Sequence, residues 1–199
     1  MLALVLALAA AAPPGDLHPV LAPADAPTQF AAHMARLGGS DALACEPFWP
    51  EDALLCWRRA DGHWVTTRDL RTWEVSPAEL RAAAEQHMGS AASDGWDRQS
   101  VDGVEGAYWT AGGEPGWEQA WVLTPERILA TLGVDEVFVS APADRVLLAW
   151  APGNPELDQI VAVGARKMFD ELPGGASAVV YRFRDGAWTA FAEAQPREE

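Results

Sequence analysis

The stretch that most constrains the fold is residues 134–191, where short apolar runs alternate with turn signals. Residues 137–139 and 146–150 are rich in β-branched and aromatic side chains, a composition typical of strands. The sequence Ala-Pro-Ala-Asp at 141–144 lies between them and favours a turn. We therefore predict a pair of strands joined by this turn.

A helix is predicted directly after this pair. Asn154 is an N-cap residue type, and Pro155 suits the first helical position. One proline and two glycines at 173–175 end the helix. Six apolar or small residues share one face at helical spacing: Leu157, Ile160, Val161, Gly164, Met168 and Leu172.

A second hairpin closes the stretch. Residues 179–184 alternate between two faces, as in a half-buried strand, and residues 188–191 read as the returning strand. Asp185 and Gly186 supply the positive φ angles of a two-residue hairpin turn. Because a helix between two hairpins can cover one sheet face, the predicted fold class is α+β, a mainly antiparallel sheet of hairpins with two or three packed helices.

The composition is that of one acidic globular domain. The chain has 199 residues, of which 49% are hydrophobic and 22% charged, enough for one core over residues 28–192. Its 14 basic and 29 acidic residues give a net charge of −15. This charge argues against a nucleic-acid partner, because phosphate binding needs a basic face, and it disfavours anionic membrane surfaces for the same reason.

The N-terminus has the pattern of a targeting segment. Residues 2–12 are uninterrupted apolar residues, too few to span a bilayer but enough for the core of a signal peptide, which we predict over residues 1–12. A buried N-terminal helix is the alternative. Export predicts a periplasmic or secreted protein with no stable membrane insertion after signal cleavage. Residues 13–27, rich in proline and alanine, indicate a surface tether, and residues 193–199 a disordered acidic tail.

The two cysteines of the chain, Cys45 and Cys56, predict one disulfide in an oxidising compartment. It would tie a loop at residues 46–50 to the strand that follows. Two unpaired buried thiols are the alternative. A metal site is not predicted, because it needs more ligands than this pair provides.

Local signals predict further elements in the middle of the chain. Ser76 and Glu79 form a capping box around Pro77, and Asp61-Gly62 marks a hairpin turn within residues 53–67. The remaining predictions are a helix over 28–37, a strand over 119–123, a helix over 124–132 and, at 89–116, an irregular stretch with one strand within 104–110.

Residues 57–64 and 181–188 share the pattern aromatic-Arg-x-x-Asp-Gly-x-Trp. We interpret them as two copies of one hairpin type, with aromatic side chains paired across the strands. Duplication of a half-domain, which would give two similar halves within residues 28–192, is the alternative.

The order of the predicted elements can also be compared with that of known protein families. The hairpin at 53–67 precedes the helix start Val-Ser-Pro-Ala-Glu-Leu, and the segment Val-Asp-Glu-Val-Phe-Val-Ser-Ala-Pro precedes Tyr-Arg-Phe-Arg-Asp-Gly at 181–186. In this order the chain resembles the YtpQ-like family of uncharacterised bacterial proteins over about residues 53–191. The resemblance implies an α+β fold and no established activity, so it assigns no catalytic residue.

Catalytic, metal and cofactor motifs are not predicted. The four histidines lack the i, i+4 spacing of a helical zinc site, and the single lysine, Lys167, does not follow a phosphate-binding glycine loop. The sequence therefore leans away from an enzyme.

Trp49, Trp96 and Trp117 fall in segments predicted as loops, and Asp94 and Asp97 lie beside Trp96. An exposed loop tryptophan can stack on a sugar ring or anchor a partner, whereas the alternative is that each caps the edge of the core. The leading hypothesis is a non-catalytic binding or interaction domain of the cell envelope, whose partner is an unidentified protein or envelope component. The alternatives are a small-ligand or glycan-binding module that uses these tryptophans, and a hydrolase that uses the loop carboxylates.

Overall fold

The computed structural model describes residues 15–49, 52–90 and 95–191. The predicted signal peptide and acidic tail lie outside these residues. The described strands are β1 Leu17–Pro23, β2 Cys45–Trp49, β3 Ala53–Arg59, β4 Trp96–Gln99, β5 Tyr108–Ala111, β6 Val137–Ala143, β7 Val146–Trp150, β8 Val180–Arg184 and β9 Ala187–Phe191. The helices are α1 Ala26–Arg36, α2 Thr67–Trp73, α3 Pro77–Ser90, a 3₁₀ helix Glu118–Leu123, α4 Pro125–Leu132 and α5 Pro155–Glu171.

The strands form two antiparallel sheets, which confirms the predicted α+β class. The smaller sheet has the order β1-β3-β2, and the larger has the order β4-β5-β7-β6-β8-β9. The main core lies between the smaller sheet and one face of the larger sheet, and it includes side chains of α2, α3, α4 and the 3₁₀ helix. A second core lies on the opposite face of the larger sheet, beneath α5. No helix among the described residues is long and apolar enough to cross a membrane.

Helix α5 begins as predicted but buries a narrower stripe. The Asn154 side chain accepts the backbone N–H groups of residues 156 and 157, so it caps the helix. The buried residues are Leu157, Val161 and Ala165, which follow one another at a spacing of four. Of the predicted face, Ile160, Met168 and Leu172 are exposed instead. Only the narrow row of residues spaced by four along α5 packs against the sheet.

The tether predicted over residues 13–27 is wrong for its described part. Leu17–Pro23 forms strand β1, and residues 18–22 are buried. Proline is tolerated here because β1 is an edge strand, which leaves one side of its backbone unpaired with other strands. The side chain of Gln119 supplies a partner on that side, since its Oε1 atom accepts the N–H of Leu21 at 2.9 Å. Its Nε2 atom donates to the carbonyl of Ala143 at 3.0 Å, so Gln119 joins the two sheets.

Three further predictions are corrected. The predicted loop at 46–50 is strand β2 for its described part, with Cys45 directly opposite Cys56 on β3. The strand predicted over 119–123 is the 3₁₀ helix, whose apolar composition reflects complete burial. The irregular stretch at 89–116 holds two strands, β4 and β5, rather than one.

The predicted disulfide between Cys45 and Cys56 is confirmed. The turn predicted at 141–144 lies further on: β6 continues to Ala143, and Asp144 and Arg145 make the turn, with Arg145 at φ +60°. Pro142 falls within β6, where the register with β7 shifts. The shift fits a residue that has no N–H to donate to the sheet.

The two echoing segments do not form the same hairpin. Asp185 and Gly186 make a two-residue turn, and Phe183 lies opposite Trp188. In the earlier segment Arg58 lies opposite Trp64, and Arg59 donates to the carbonyl of residue 63, which leaves a three-residue loop. The registers therefore differ by one residue, and the interpretation as two copies of one hairpin type is wrong.

Candidate functional site

An open groove of about 650 Å³ lies between the β4–β5 hairpin and the N-terminus of α5. We call it the Trp109 groove. It is lined by Arg98, Glu105, Gly106, Ala107, Trp109, Ala151, Pro152, Gly153, Asn154, Pro155 and Leu157. Trp109 on β5 lies directly opposite Arg98 on β4, so an indole and a guanidinium occupy neighbouring positions on one sheet face.

Two contacts shape the floor of the groove. The Nδ2 atom of Asn154 donates to the carbonyl of Glu105 at 2.6 Å, which attaches the segment before β5 to the start of α5. Gly106 has a φ of +111°, and a Cβ atom there would lie 2.9 Å from the Cδ2 atom of Leu157. The positive φ favours glycine at this position, and the side chain of Leu157 on α5 fills the space beside it.

The first turn of α5 is also fixed from the sheet side. Trp150 on β7 is buried and donates its Nε1 hydrogen to the Oδ1 atom of Asp158 at 3.0 Å. Partial burial raises the pKa of the Asp158 carboxyl, and the hydrogen bond from Trp150 opposes this rise. The end of β7 and the start of α5 thus meet at a fixed angle beside the groove.

The groove combines one aromatic surface with several polar groups. Trp109 is half-buried, so part of its ring faces solvent, while Arg98 and Glu105 are exposed. An indole offers a flat apolar surface and one N–H donor, and the guanidinium, carboxylate and amide groups offer directional hydrogen bonds. Such a surface suits a ligand with an apolar face and a polar rim.

A second cavity of about 310 Å³ lies between α1 and the smaller sheet; we call it the Arg58 slot. Its lining includes Phe30, Leu43, Arg58, Trp64 and the backbone at Gly174 and Gly175. The guanidinium of Arg58 lies 4.4 Å from the centroid of the Trp64 ring, within the range of a cation–π contact. The same guanidinium is paired with Asp144, so its charge is already balanced.

His18 lies next to Arg58, since the two are directly opposite on β1 and β3. It is buried against Gly116, where a Cβ atom would lie 3.2 Å from three atoms of the ring. Burial lowers the pKa of His18, and the positive charges of Arg58 and Arg145 lower it further. The histidine is thus a neutral packing group in the folded protein at neutral pH.

The tryptophans predicted to bind ligand have different surroundings. Trp49 lies in strand β2 and is only 2% exposed, stacked on Tyr181 with centroids 4.0 Å apart. Trp96 is half-buried on β4 and packs against Trp121. Trp117 is half-buried and stacks on His87 with centroids 4.0 Å apart. Trp49 therefore offers no binding surface, and the other two ring systems are already paired.

Of the two predicted carboxylates, Asp97 is exposed on β4 and is not among the residues that line the groove, whereas Asp94 lies outside the described residues. Among the residues that the structure describes, no group of three histidine, cysteine or acidic side chains could hold a metal ion.

Sequence reasoning missed Trp109, although it falls within the predicted strand at 104–110. The signal was present, since a Tyr-Trp pair in a strand must place one ring on each face of the sheet. Tyr108 packs in the second core, and Trp109 turns to the groove.

The chain matches no protein-family model, no curated protein and no solved structure. The resemblance to the YtpQ-like family consequently stays a prediction, and the function has to be argued from the site alone.

Proposed function

We propose that this protein is an exported, non-catalytic binding domain of the cell envelope that holds a sugar-like ligand in the Trp109 groove. The observation that carries the proposal is the half-buried Trp109, set opposite Arg98 and lining a groove of about 650 Å³. One face of a pyranose ring presents C–H groups that can lie on an indole, while its hydroxyl groups need directional polar partners. The groove supplies both kinds of contact.

Size and preorganisation support this reading. Ligand sites usually measure roughly 300–1,000 Å³, and the groove falls within that range at about 650 Å³. Its floor is held by the bond from Asn154 to Glu105 and by the close packing of Gly106 on Leu157. A preformed floor lowers the ordering cost of binding.

The lining favours binding over glycoside hydrolysis. Glycosidases act with two carboxyl groups, roughly 5–9.5 Å apart. Among the described residues that line the groove, Glu105 is the one carboxylate. The hydrolase alternative therefore needs a second acid from outside that lining, and it predicts turnover of the ligand.

Export is supported by the disulfide between Cys45 and Cys56, because such bonds persist in oxidising compartments. It also fits the apolar residues 2–12 and the net charge of −15, which suits a solvated protein. The partner we propose is accordingly an envelope glycan.

The test is a thermal-shift and calorimetric titration of the oxidised protein with soluble peptidoglycan fragments and with neutral hexasaccharides of glucose and of N-acetylglucosamine. A ligand at about 100 times its dissociation constant should stabilise the fold by about 2.7 kcal/mol. Trp109→Ala should weaken binding about tenfold or more, because truncation of a tryptophan at the centre of a binding site costs about 2 kcal/mol or more.

Trp64→Ala is the matched control, since Trp64 is half-buried and lines the Arg58 slot rather than the groove. Loss of binding in Trp64→Ala with full binding in Trp109→Ala would move the site to the slot and refute the proposal. The absence of any saccharide-dependent shift would refute it as well, and release of shorter saccharides would favour the hydrolase.

A further inference from the structure

In the part of the chain that the structure describes, the two sheets have four edge strands, and one of these strands lacks the usual protection against pairing with another chain. Natural edge strands are blunted by proline, by charged side chains or by bulges. Strand β1 contains two prolines, β2 contains glutamate and proline, and β4 contains aspartate and arginine. Strand β9 reads Ala-Trp-Thr-Ala-Phe and contains neither proline nor charge.

Among the described residues, β9 pairs only with β8 and ends the six-stranded sheet, so no described strand covers its outer side. Ala187, Thr189 and Ala190 are exposed, and Phe191 retains 43% of its exposure. An edge that is neutral, apolar and exposed is a template for another strand.

The side chains of β9 complement a second copy of themselves. When two such strands run antiparallel about a two-fold axis at Thr189, Ala187 faces Phe191 of the other copy, and Trp188 faces Ala190. Each large ring thus meets a methyl group, and the two threonines meet at the axis. Large-to-small pairing avoids collisions, and threonine pairs are favourable across strands.

The backbone agrees with this register. In a two-residue hairpin the residues that flank the turn share both hydrogen bonds, and such pairs alternate along the strands. Ala187, Thr189 and Phe191 therefore bond to β8, while the N–H and carbonyl groups of Trp188 and Ala190 point outward. In the two-fold arrangement, Trp188 of each copy lies opposite Ala190 of the other, so four outward hydrogen bonds form.

We propose that β9 pairs with β9 of a second copy of this chain, which joins two six-stranded sheets into one antiparallel sheet. Every strand pair already in the larger sheet is antiparallel, so the added pair continues the same geometry. The five residues of the strand carry no charge, so no like-charged pair forms between the two copies of β9 itself. This inference is independent of the ligand groove, which lies at the β4–β5 end of the sheet.

Sedimentation equilibrium over a concentration series tests the association, and two variants test its location. Ala190→Pro removes an N–H that points away from β8, so the fold should persist while the dimer is lost. Thr189→Cys should form a covalent dimer on oxidation, because directly opposed residues of this type lie about 4.5 Å apart between Cα atoms. Gln99→Cys on the opposite edge strand, β4, is the matched control and should stay monomeric.

The expected result is a concentration-dependent dimer for the wild type, a monomeric Ala190→Pro variant with an unchanged circular dichroism spectrum, and a dimer band for Thr189→Cys alone. A wild type that stays monomeric at every concentration would overturn the proposal and leave the edge to an extended segment of a different protein. A dimer that survives Ala190→Pro, or cross-links equally through Gln99→Cys, would also overturn it.

Discussion

The Nη1 atom of Arg58 donates to both carboxylate oxygens of Asp144, at 3.2 Å each. Arg58 lies on β3 of the smaller sheet, and Asp144 lies in the turn between β6 and β7 of the larger sheet. The ion pair therefore spans the two sheets, next to the core that they share. It is more protected than most surface pairs, because the side chains retain 20% and 38% of their exposure.

We predict unequal costs for breaking this pair. Asp144→Ala leaves the more buried guanidinium without its carboxylate, whereas Arg58→Met leaves a carboxylate that water can reach. We expect Asp144→Ala to lower the free energy of unfolding by about 1.5–3 kcal/mol, and Arg58→Met by less. Urea denaturation measures both. Arg166→Met breaks an exposed pair with Asp170 and should cost no more than about 0.5 kcal/mol. Equal losses in all three variants would contradict the prediction.

His18 should make the stability depend on pH. Burial lowers its pKa in the folded state, whereas the unfolded chain titrates near pH 6.5. As the pH falls through about 6.5 toward the lower folded pKa, the unfolded state takes up a proton that the folded state does not, so stability declines. His18→Gln keeps the site neutral and should remove this part of the decline.

The measurement is the difference in unfolding free energy between the wild type and His18→Gln at a series of pH values from 7.5 to about 5. Lost packing in the variant adds a constant offset. The unfolding free energy of the wild type, relative to that of His18→Gln, should therefore decrease steadily as the pH falls. A difference that stays flat over this range would show that His18 has the same pKa in both states.

Gln119 should be costly to replace despite its lack of charge. It is 4% exposed and satisfies the N–H of Leu21 and the carbonyl of Ala143. Gln119→Leu has a similar volume but leaves both backbone groups unpaired, and each unpaired group costs about 1–3 kcal/mol. Chemical denaturation should therefore show a loss of about 2–6 kcal/mol. The exposed Gln99 provides the control, since Gln99→Leu should change little.

Reduction of the disulfide should destabilise the protein without altering its topology. The bond closes a loop with a sequence separation of 11 residues, and the chain-entropy model assigns about 2–3 kcal/mol to a loop of this length. We expect the double variant Cys45→Ala, Cys56→Ala to lose that amount in a thermal melt and to keep its circular dichroism spectrum. An unchanged melting temperature would contradict the prediction, because it would mean that the bond restricts the unfolded chain less than the chain-entropy model requires.

The correct sequence predictions are those that depend on neighbouring residues. The cap at Asn154, the capping box of Ser76 with Glu79 and the Asp185-Gly186 turn are each decided within four residues, and each is present. Backbone geometry near a cap or turn depends little on the rest of the protein, so the predicted caps and turn are also found in the folded chain.

The failed predictions depend on distant contacts. The composition of residues 17–23 is that of a linker, and their burial depends on the pairing with β3 and on the contact with Gln119. The composition of residues 119–123 is that of a strand, but it results from the burial of a 3₁₀ helix. The site was missed for the same reason. Nothing near Trp49 reveals that Tyr181 covers it, and nothing near Trp109 reveals that α5 begins beside it.

The hydrogen bond between Leu21 and Gln119 joins residues 98 positions apart. Strand β1 pairs with β3, but its outer side stays incomplete until the 3₁₀ helix has been made and placed. The edge of β1 therefore receives this last partner only after residue 119 has been synthesised, so the smaller sheet at the start of the chain depends on its middle for a complete set of hydrogen bonds.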